Sequence, residues 1–372
     1  MSLKIGIIGG GIYGSHIAQS LNYMGFEVKL FEQHQRLFHE ASGNNQFRLH
    51  QGFHYARHAR TRTQSRDGFS RFIERYPTLS EEITENIYAV PKLDSAIDFN
   101  TYRIIMSSTG VNFTEVESCS TPILNVEGLI KTNERVVMIE KSRAFFTKEL
   151  GEILHLGTKV EKIKEFSSHV ELNGEKFDYL IDATWGHFRR PKIDVFFEPT
   201  ILLYFEGPKD FPAITLVDGP LGSIYPTEEP GIYTLSSVPH SPLGQFKLAE
   251  EAVAVRNAIT SSLVSEKTML MVNQIQHYVP SFKDEFNYLG PQFAIKSKPT
   301  GANDDRSCYV EKVGRIFSVL SGKIDNIFFA MEHIISILEA ATTDSASEVN
   351  SMLRRDIEIA KTRLDSRNNR EN

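Results

Sequence analysis

The chain opens on a short apolar run, Lys4–Ile8 (KIGII), closed at once by three glycines. Such a run, rich in isoleucine and without polar alternation, predicts a strand buried on both faces in a parallel sheet. Mixed apolar and polar positions then predict a helix from about Tyr13 to Met24, stopped by Gly25. A second buried strand follows at Glu27–Phe31 and ends on Glu32. There the periodicity stops. Residues 33–62 are polar and crowded with functional side chains, including Ser42, Asn44, Asn45, Gln46, Arg48, His50, His54, Tyr55, Arg57 and His58. Long loops inside compact domains usually carry function.

Regular patterning resumes with a helix over Thr61–Tyr76, ended before Pro77, and a strand at Ile87–Pro91. A short helix is expected over Thr101–Ser108, a β-hairpin or strand pair over Glu127–Glu140, and a helix over Lys141–Leu150. Gly157–Glu165 reads as a strand, Asn173-Gly174 as a hairpin turn, and Leu180–Thr184 as another buried parallel strand. From Phe196 to about Gln276, short β-rich runs separated by turn residues predict an antiparallel sheet, with a helix over Leu248–Lys267 on its flank. The last pattern is a strand at Arg315–Leu320, a turn at Ser321–Lys323 and an apolar-faced helix over Asp325–Ala340. A charged helix and tail follow from Asp344.

The glycines after the first strand carry the chemistry. Gly9, Gly11 and Gly14 form G-x-G-x-x-G between a strand and a helix, the arrangement that lets backbone approach a pyrophosphate and aims helix N–H groups at it. Glu32, 18 residues after Gly14, is placed to accept hydrogen bonds from ribose hydroxyls. These features specify a dinucleotide without choosing which. At 372 residues, two domains are expected. The net charge of −6 favours neither nucleic acid nor an anionic membrane as partner. Two cysteines, Cys119 and Cys308, build neither a disulfide framework nor a metal or redox motif, and no metal is expected. With a strand starting at Lys4 and no apolar stretch of membrane-spanning length, a cytoplasmic protein is expected.

The Rossmann start, the acid closing the second strand and the segment ASGNNQFRLHQGFHY together resemble the D-amino-acid-oxidase superfamily of FAD-dependent oxidoreductases. The resemblance implies an α/β fold: a Rossmann-like FAD-binding domain of glutathione-reductase type, interleaved with an antiparallel-sheet substrate domain. The implied boundaries are 1–76, 128–195 and 305–345 for the FAD domain, 77–127 and 196–304 for the substrate domain, and 346–372 for a terminal helix and tail. FAD contacts are implied for Gly9, Gly11, Ile12, Tyr13, Gly14, Glu32 and Gln33. They are implied likewise for Ala41, Ser42, Asn44, Asn45 and His50 in the long loop, for Val160, Ala183 and Thr184, and for Gly322, Lys323 and Ile324.

For such an enzyme, a C–H beside an amine or hydroxyl of a small amino acid, hydroxy acid or sugar-derived substrate gives up a hydride equivalent to flavin N5. His50 or His54 could accept the accompanying proton, or instead hold cofactor or backbone by hydrogen bonds. Arg48 or Arg57 could clamp a substrate carboxylate or phosphate, or bind the FAD pyrophosphate or a surface acid. Tyr55 and Tyr225 are candidates to face the substrate, and Lys323 to place positive charge beside the reduced flavin, or to be an exposed turn lysine. The alternatives are an NAD-dependent dehydrogenase, allowed by the Rossmann start alone, and a non-catalytic FAD-binding protein. A monooxygenase of the aromatic-hydroxylase type is expected to carry a Gly-Asp element before the last helix, where this chain has Ser321-Gly322-Lys323.

Overall fold

A computed structural model describes residues 2–301, 305–320 and 322–343. Ser321 of the expected turn and the charged segment from Asp344 lie outside the described residues. The chain divides into two compact units, one built from 1–39, 143–193 and 308–372 and the other from 40–142 and 194–307.

The first unit is organised on the expected apolar strand. Lys4–Ile8 pairs in parallel with Glu27–Phe31 on one side and with Tyr179–Asp182 on the other. Ile316–Leu320 extends the sheet in parallel, Tyr309–Val313 adds an antiparallel edge, and Leu154–His155 adds two parallel residues at the opposite edge. Ile5 and Ile7 are fully enclosed, as a strand covered on both faces requires. One cover is the helix Ile12–Tyr23, whose Ile17, Ala18 and Leu21 are fully buried. Another is the helix Ile327–Thr343, which buries Ile327, Ala330, Ile334 and Leu338 along one stripe. A small antiparallel sheet, Ile163–Glu165, Val170–Leu172 and Glu175–Phe177, turns at Asn173-Gly174 as expected and packs Val170, Leu172 and Phe177 against Ile8, Phe31 and Leu180.

The second unit carries an eight-stranded sheet. Its strands run in the order Asn287–Pro299, Val195–Glu206, Ile232–Ser237, Gly222–Pro226, Ala213–Leu216, Asn86–Pro91, Val126–Thr132 and Thr114–Val116. All neighbours are antiparallel except Ala213–Leu216 with Asn86–Pro91. A separate three-stranded sheet joins Arg48–Leu49, Arg135–Val137 and Ser80–Glu82. The helix Ala59–Arg75 starts at His58, whose ring accepts from the Thr61 N–H at 3.2 Å. The helix Phe99–Thr109 starts at Asp98, which accepts from the Thr101 N–H at 2.9 Å.

Four sequence expectations need correction. The strand pair over Glu127–Glu140 is not a hairpin: Val126–Thr132 joins the large sheet and Arg135–Val137 the small one, because the chain breaks at Asn133-Glu134 and changes partners. The helix over Leu248–Lys267 is two helices, Ala249–Asn257 and Ser261–Gln276, the second restarted by a Thr260 cap on the Leu263 N–H at 3.3 Å. Only Ile163–Glu165 of the Gly157–Glu165 run is strand. The last α-helix begins at Ile327, after a 3₁₀ turn over Ile324–Asn326. Residues 40–76 and 128–142 also fall in the second unit, where the sequence boundaries grouped them with the dinucleotide part. The pairing of Arg48–Leu49 with Arg135–Val137 accounts for their place there.

Phe177 is 1% exposed and meets Phe31 edge-on with ring centroids 6.0 Å apart. Phe177→Ala should cost about 3–5 kcal/mol through lost burial and the cavity left behind, read as a lower midpoint in thermal or denaturant unfolding. An unchanged midpoint would mean that the hairpin does not hold the sheet.

Candidate functional site: a dinucleotide turn and a buried polar row

In the first unit, the glycine turn is dictated by lack of space. Gly9 has φ +102°, and a Cβ there would lie 2.8 Å from the Ala183 carbonyl oxygen. A Cβ on Gly14 would lie 1.9 Å from the Gly9 carbonyl oxygen, so only glycine lets the helix sit this close to the turn. Gly11 is the N-cap residue of the Ile12–Tyr23 helix and brings no side chain to cap it. No acidic residue lies in the first turn, which leaves the positive end of the helix for an anion. Ser15, fully buried one turn in, has an Oγ with no hydrogen-bond partner.

Glu32 is 8% exposed, and its carboxylate is already at work. Oε2 accepts from the Gly10 N–H at 2.7 Å and Oε1 from the His34 N–H at 2.8 Å. It thereby ties the second strand to the glycine turn, and each oxygen keeps lone-pair capacity for a hydroxyl. Gln33, next in sequence, is exposed. Val160 packs with Ile8 and Phe31 from an irregular segment rather than a strand. Ala183 donates its N–H to the Ile8 carbonyl at 2.9 Å. The Thr184 hydroxyl donates to Asp182 at 2.6 Å and accepts from the Phe188 N–H at 2.9 Å. Asp182 is 2% exposed, and burial pushes its carboxyl above the usual range against the hydrogen bonds from Thr184 and Arg189.

Tyr13 links the two ends of the chain in this unit. Its hydroxyl donates to the Lys323 carbonyl at 2.7 Å and accepts from the Gly322 N–H at 3.1 Å. Burial pushes the phenol well above its ordinary value, so it stays a neutral donor. Lys323 and Ile324 are half-buried, while Asp325 and Asn326 behind them are fully enclosed.

In the second unit, the loop from Ala41 folds on itself before it reaches the sheet. Ala41–Gly43 forms a 3₁₀ turn, and the Asn45 amide donates to the Ala41 and Ser42 carbonyls at 2.8 and 3.0 Å. Asn44 donates to the Glu40 carbonyl at 2.9 Å. Sheet register then lines up a polar row across four adjacent strands: Ser236 opposite Ser223, Ser223 opposite Thr215, and Thr215 opposite Tyr88. The loop docks on that row. Gln46 Oε1 accepts from the Ser223 and Ser236 hydroxyls at 3.0 and 2.9 Å, and from Arg48 at 3.2 Å.

Arg48 donates to the Thr215 hydroxyl at 2.6 Å, and its guanidinium lies over the Tyr225 ring at 4.3 Å from the centroid. Among the described residues its Nε is buried with no hydrogen-bond partner. Tyr225 is itself fully buried and donates to the Arg135 carbonyl at 3.2 Å. His50 and Tyr55 are nearly enclosed, with ring centroids 5.5 Å apart, and His54 lies 5.2 Å from Tyr55. Arg57 is committed elsewhere: it forks onto Asp218, which is 7% exposed.

Sequence reading missed Glu134. It is fully buried and accepts from the Gln51 N–H at 2.6 Å, the Tyr88 hydroxyl at 2.7 Å and the Asn86 amide at 3.3 Å. Burial lifts its carboxyl to about 7, against those bonds and the nearby Arg48 charge. In sequence it looks like a turn acid in T-N-E-R, and only the break between the two sheets turns it inward. The structural use of Gln46 and Asn45 was equally invisible in the linear pattern.

The first unit therefore fits a dinucleotide by its own geometry: a cradle that a Cβ would fill, an uncapped helix start and an orphaned buried hydroxyl. A family model described as FAD dependent oxidoreductase (DAO) matches residues 4–93. FAD-dependent monooxygenase FPY4 of Fusarium mangiferae is 58% identical over 336 residues, covering 90% of this chain and 91% of its own. FAD-dependent monooxygenase kojA of Aspergillus flavus is 26% identical over 370 residues, covering 90% and 86%. Among solved structures, glycine oxidase from Geobacillus kaustophilus superposes with a TM-score of 0.69 at 14% identity, over 91% of this chain and 95% of that one. The L-alpha-glycerophosphate oxidase of Mycoplasma pneumoniae gives the same score, identity and coverage. The fold is that of a two-part flavoenzyme. The chain belongs to the DAO family of FAD-dependent oxidoreductases, and FAD is its cofactor. No helix among the described residues is long and apolar enough to cross a membrane.

Gly14→Val puts three carbons where the Gly9 carbonyl stands and should abolish FAD retention, seen as loss of the visible flavin spectrum after purification. A yellow, FAD-replete variant would overturn the assigned cradle. Tyr13→Phe removes one hydroxyl and both of its bonds to residues 322–323. It should weaken FAD binding by about 10-fold in a reconstitution titration, the cost of about 1.5 kcal/mol for an unmade buried bond.

Proposed function

We propose that this FAD-dependent enzyme oxidises a small anionic molecule of amino-acid, hydroxy-acid or sugar-derived type at a C–H beside an amine or hydroxyl. The observation that carries the reading is Arg48. Its guanidinium is held over the Tyr225 ring and by Thr215 and Gln46, has a donor unspent, and forms no ion pair with a carboxylate among the described residues. A fixed guanidinium with spare donors is suited to a planar carboxylate or a phosphate, which it binds by two parallel charge-assisted bonds. The uncharged row of Ser223, Ser236 and Thr215 holds its orientation without neutralising it.

FAD, when bound, supplies the two-electron chemistry. The residues that would hold it are Gly9, Gly11, Ile12, Tyr13, Gly14, Glu32, Val160, Ala183 and Thr184, with Ala41–Asn45 and Gly322–Ile324. Gln33, which the resemblance also implies, is exposed and stands outside that set. Arg48 seats the anion and so orients the reacting carbon. His50, 2% exposed beside Tyr55, accepts the hydroxyl or amine proton, with His54 the second candidate. Lys323 is the proposed positive charge for the reduced ring. Arg57, held by Asp218, braces the loop rather than meeting substrate.

The 58% identity to a relative named a monooxygenase supports a second outcome for the same reduced enzyme: its two electrons and two protons would reduce dioxygen so that one oxygen atom enters the product and the other leaves as water. Anaerobic mixing of the holoenzyme with a panel of amino, hydroxy and sugar acids should bleach the flavin. Turnover under heavy-isotope dioxygen then decides between labelled product and stoichiometric hydrogen peroxide. With a bleaching substrate found, Arg48→Met should raise KM about 10- to 100-fold while FAD content stays unchanged, as loss of a charge-assisted pair predicts. An unchanged KM would remove Arg48 from substrate binding.

A further inference from the structure

Glu134 takes no part in the chemistry proposed for Arg48 and His50, yet it shares a framework with both. The strand Arg135–Val137 pairs antiparallel with Arg48–Leu49, with Arg48 opposite Val136 and Leu49 opposite Arg135. Just before Arg135 the chain breaks away from that pairing, and Glu134 reaches back to the segment after Leu49 by accepting from the Gln51 N–H at 2.6 Å. The large sheet repeats the relation from below. Arg48 bonds to Thr215 and Glu134 to Tyr88, and Thr215 and Tyr88 are register partners on adjacent strands. A buried carboxylate and a half-buried guanidinium thus stand side by side on one polar row without touching.

We propose that Glu134 is a positioning residue whose protonation is linked to anion binding at Arg48, so that an anion seats there together with one proton taken up by the Glu134 carboxylate. The inference rests on Arg48 as the anion site.

The electrostatics follow from the surroundings. In the free enzyme, the Arg48 charge is one of the influences that keep the buried carboxylate ionisable near neutrality. A bound anion offsets that charge as the carboxylate feels it, which favours the neutral acid. The proton comes from solvent and returns when the anion leaves. The other groups facing Glu134 are Tyr88 from the Asn86–Pro91 strand, Tyr102 from the Phe99–Thr109 helix and Tyr225 from the Gly222–Pro226 strand, with His50 one residue before the Gln51 that bonds it. Burial lifts all three phenols well above their ordinary value, so they stay neutral through the range in which Glu134 titrates. The bonds from Gln51 and Tyr88 remain possible to a protonated carboxyl, because Tyr88 can turn its hydroxyl to accept.

The sign is then set. Binding that takes up a proton weakens as pH rises, and below the Glu134 titration no uptake remains because the proton is already present. Calorimetric titration of the FAD-loaded enzyme with acetate and with benzoate, in buffers of different ionisation enthalpy, measures the uptake directly. About half a proton per anion is expected near pH 7.5, with the apparent Kd rising about tenfold between pH 6 and pH 9 for a shift of about one unit. Glu134→Gln, a neutral mimic, should abolish the uptake, flatten the pH profile and bind the anion more tightly than wild type at the alkaline end. A merely structural carboxylate would give looser binding at every pH instead. Wild-type binding without proton uptake overturns the linkage while leaving Arg48 as the anion site. Uptake that persists in Glu134→Gln assigns the proton to His50 and overturns it as well. Anion binding that is absent, or equal in Arg48→Met, removes the Arg48 reading and this inference together. Should Glu134→Gln fail to fold, His50→Gln separates the two carriers: uptake that survives it supports Glu134, and uptake that disappears overturns the linkage.

Discussion

The first unit depends on one close approach, the Gly14 backbone against the Gly9 carbonyl. No side chain fits in that gap, and the helix Ile12–Tyr23 is set by it against the central strand. The remaining contacts of the turn build on that distance. Glu32 can brace Gly10 only because the strand, turn and helix are drawn together, and Tyr13 reaches the backbone at Gly322 and Lys323 from the first turn of the same helix. A helix start that has no side-chain cap is an electrostatic liability in a bare protein and an asset beside a phosphate. The turn is therefore shaped by a ligand as much as by the chain.

The second unit answers a different constraint: polar groups taken out of water must be matched or their cost is felt. The row Ser236, Ser223, Thr215 and Tyr88 is matched almost throughout by Gln46, Arg48 and Glu134. What remains unmatched around it, among the described residues, includes the Arg48 Nε and the Asn86 Oδ1, besides the balance of charge with Glu134. A buried network that is mostly satisfied holds its members in one arrangement. Structures at 14% identity share this fold and carry out oxidations of different substrates by their own names, which is consistent with the fold holding the cofactor and local side chains choosing the substrate.

Periodicity along the chain located the strands Lys4–Ile8, Glu27–Phe31 and Ile87–Pro91, the Asn173-Gly174 turn and the apolar last helix, because each is a local pattern with a local cause. It erred where the cause was distant. Val126–Thr132 and Arg135–Val137 look like a hairpin until their partners are known, and the Leu248–Lys267 stripe conceals a cap at Thr260. Arg48 and Arg57 are equivalent on paper. Asp218, 161 residues away from Arg57, makes them different.

The sequence by itself determined the dinucleotide turn, since glycine at 9, 11 and 14 and an acid at 32 are requirements of backbone space and ribose chemistry that leave a linear trace. It also determined the family, through the loop from Ala41 to Tyr55. Only the tertiary structure decided which charges are neutralised and which are kept. Register placed Ser236, Ser223, Thr215 and Tyr88 in one row from four separate strands, and enclosure turned Glu134 from a turn acid into a buried one that titrates near neutrality. Burial and pairing are properties of neighbours in space, and a chain read in order does not contain them.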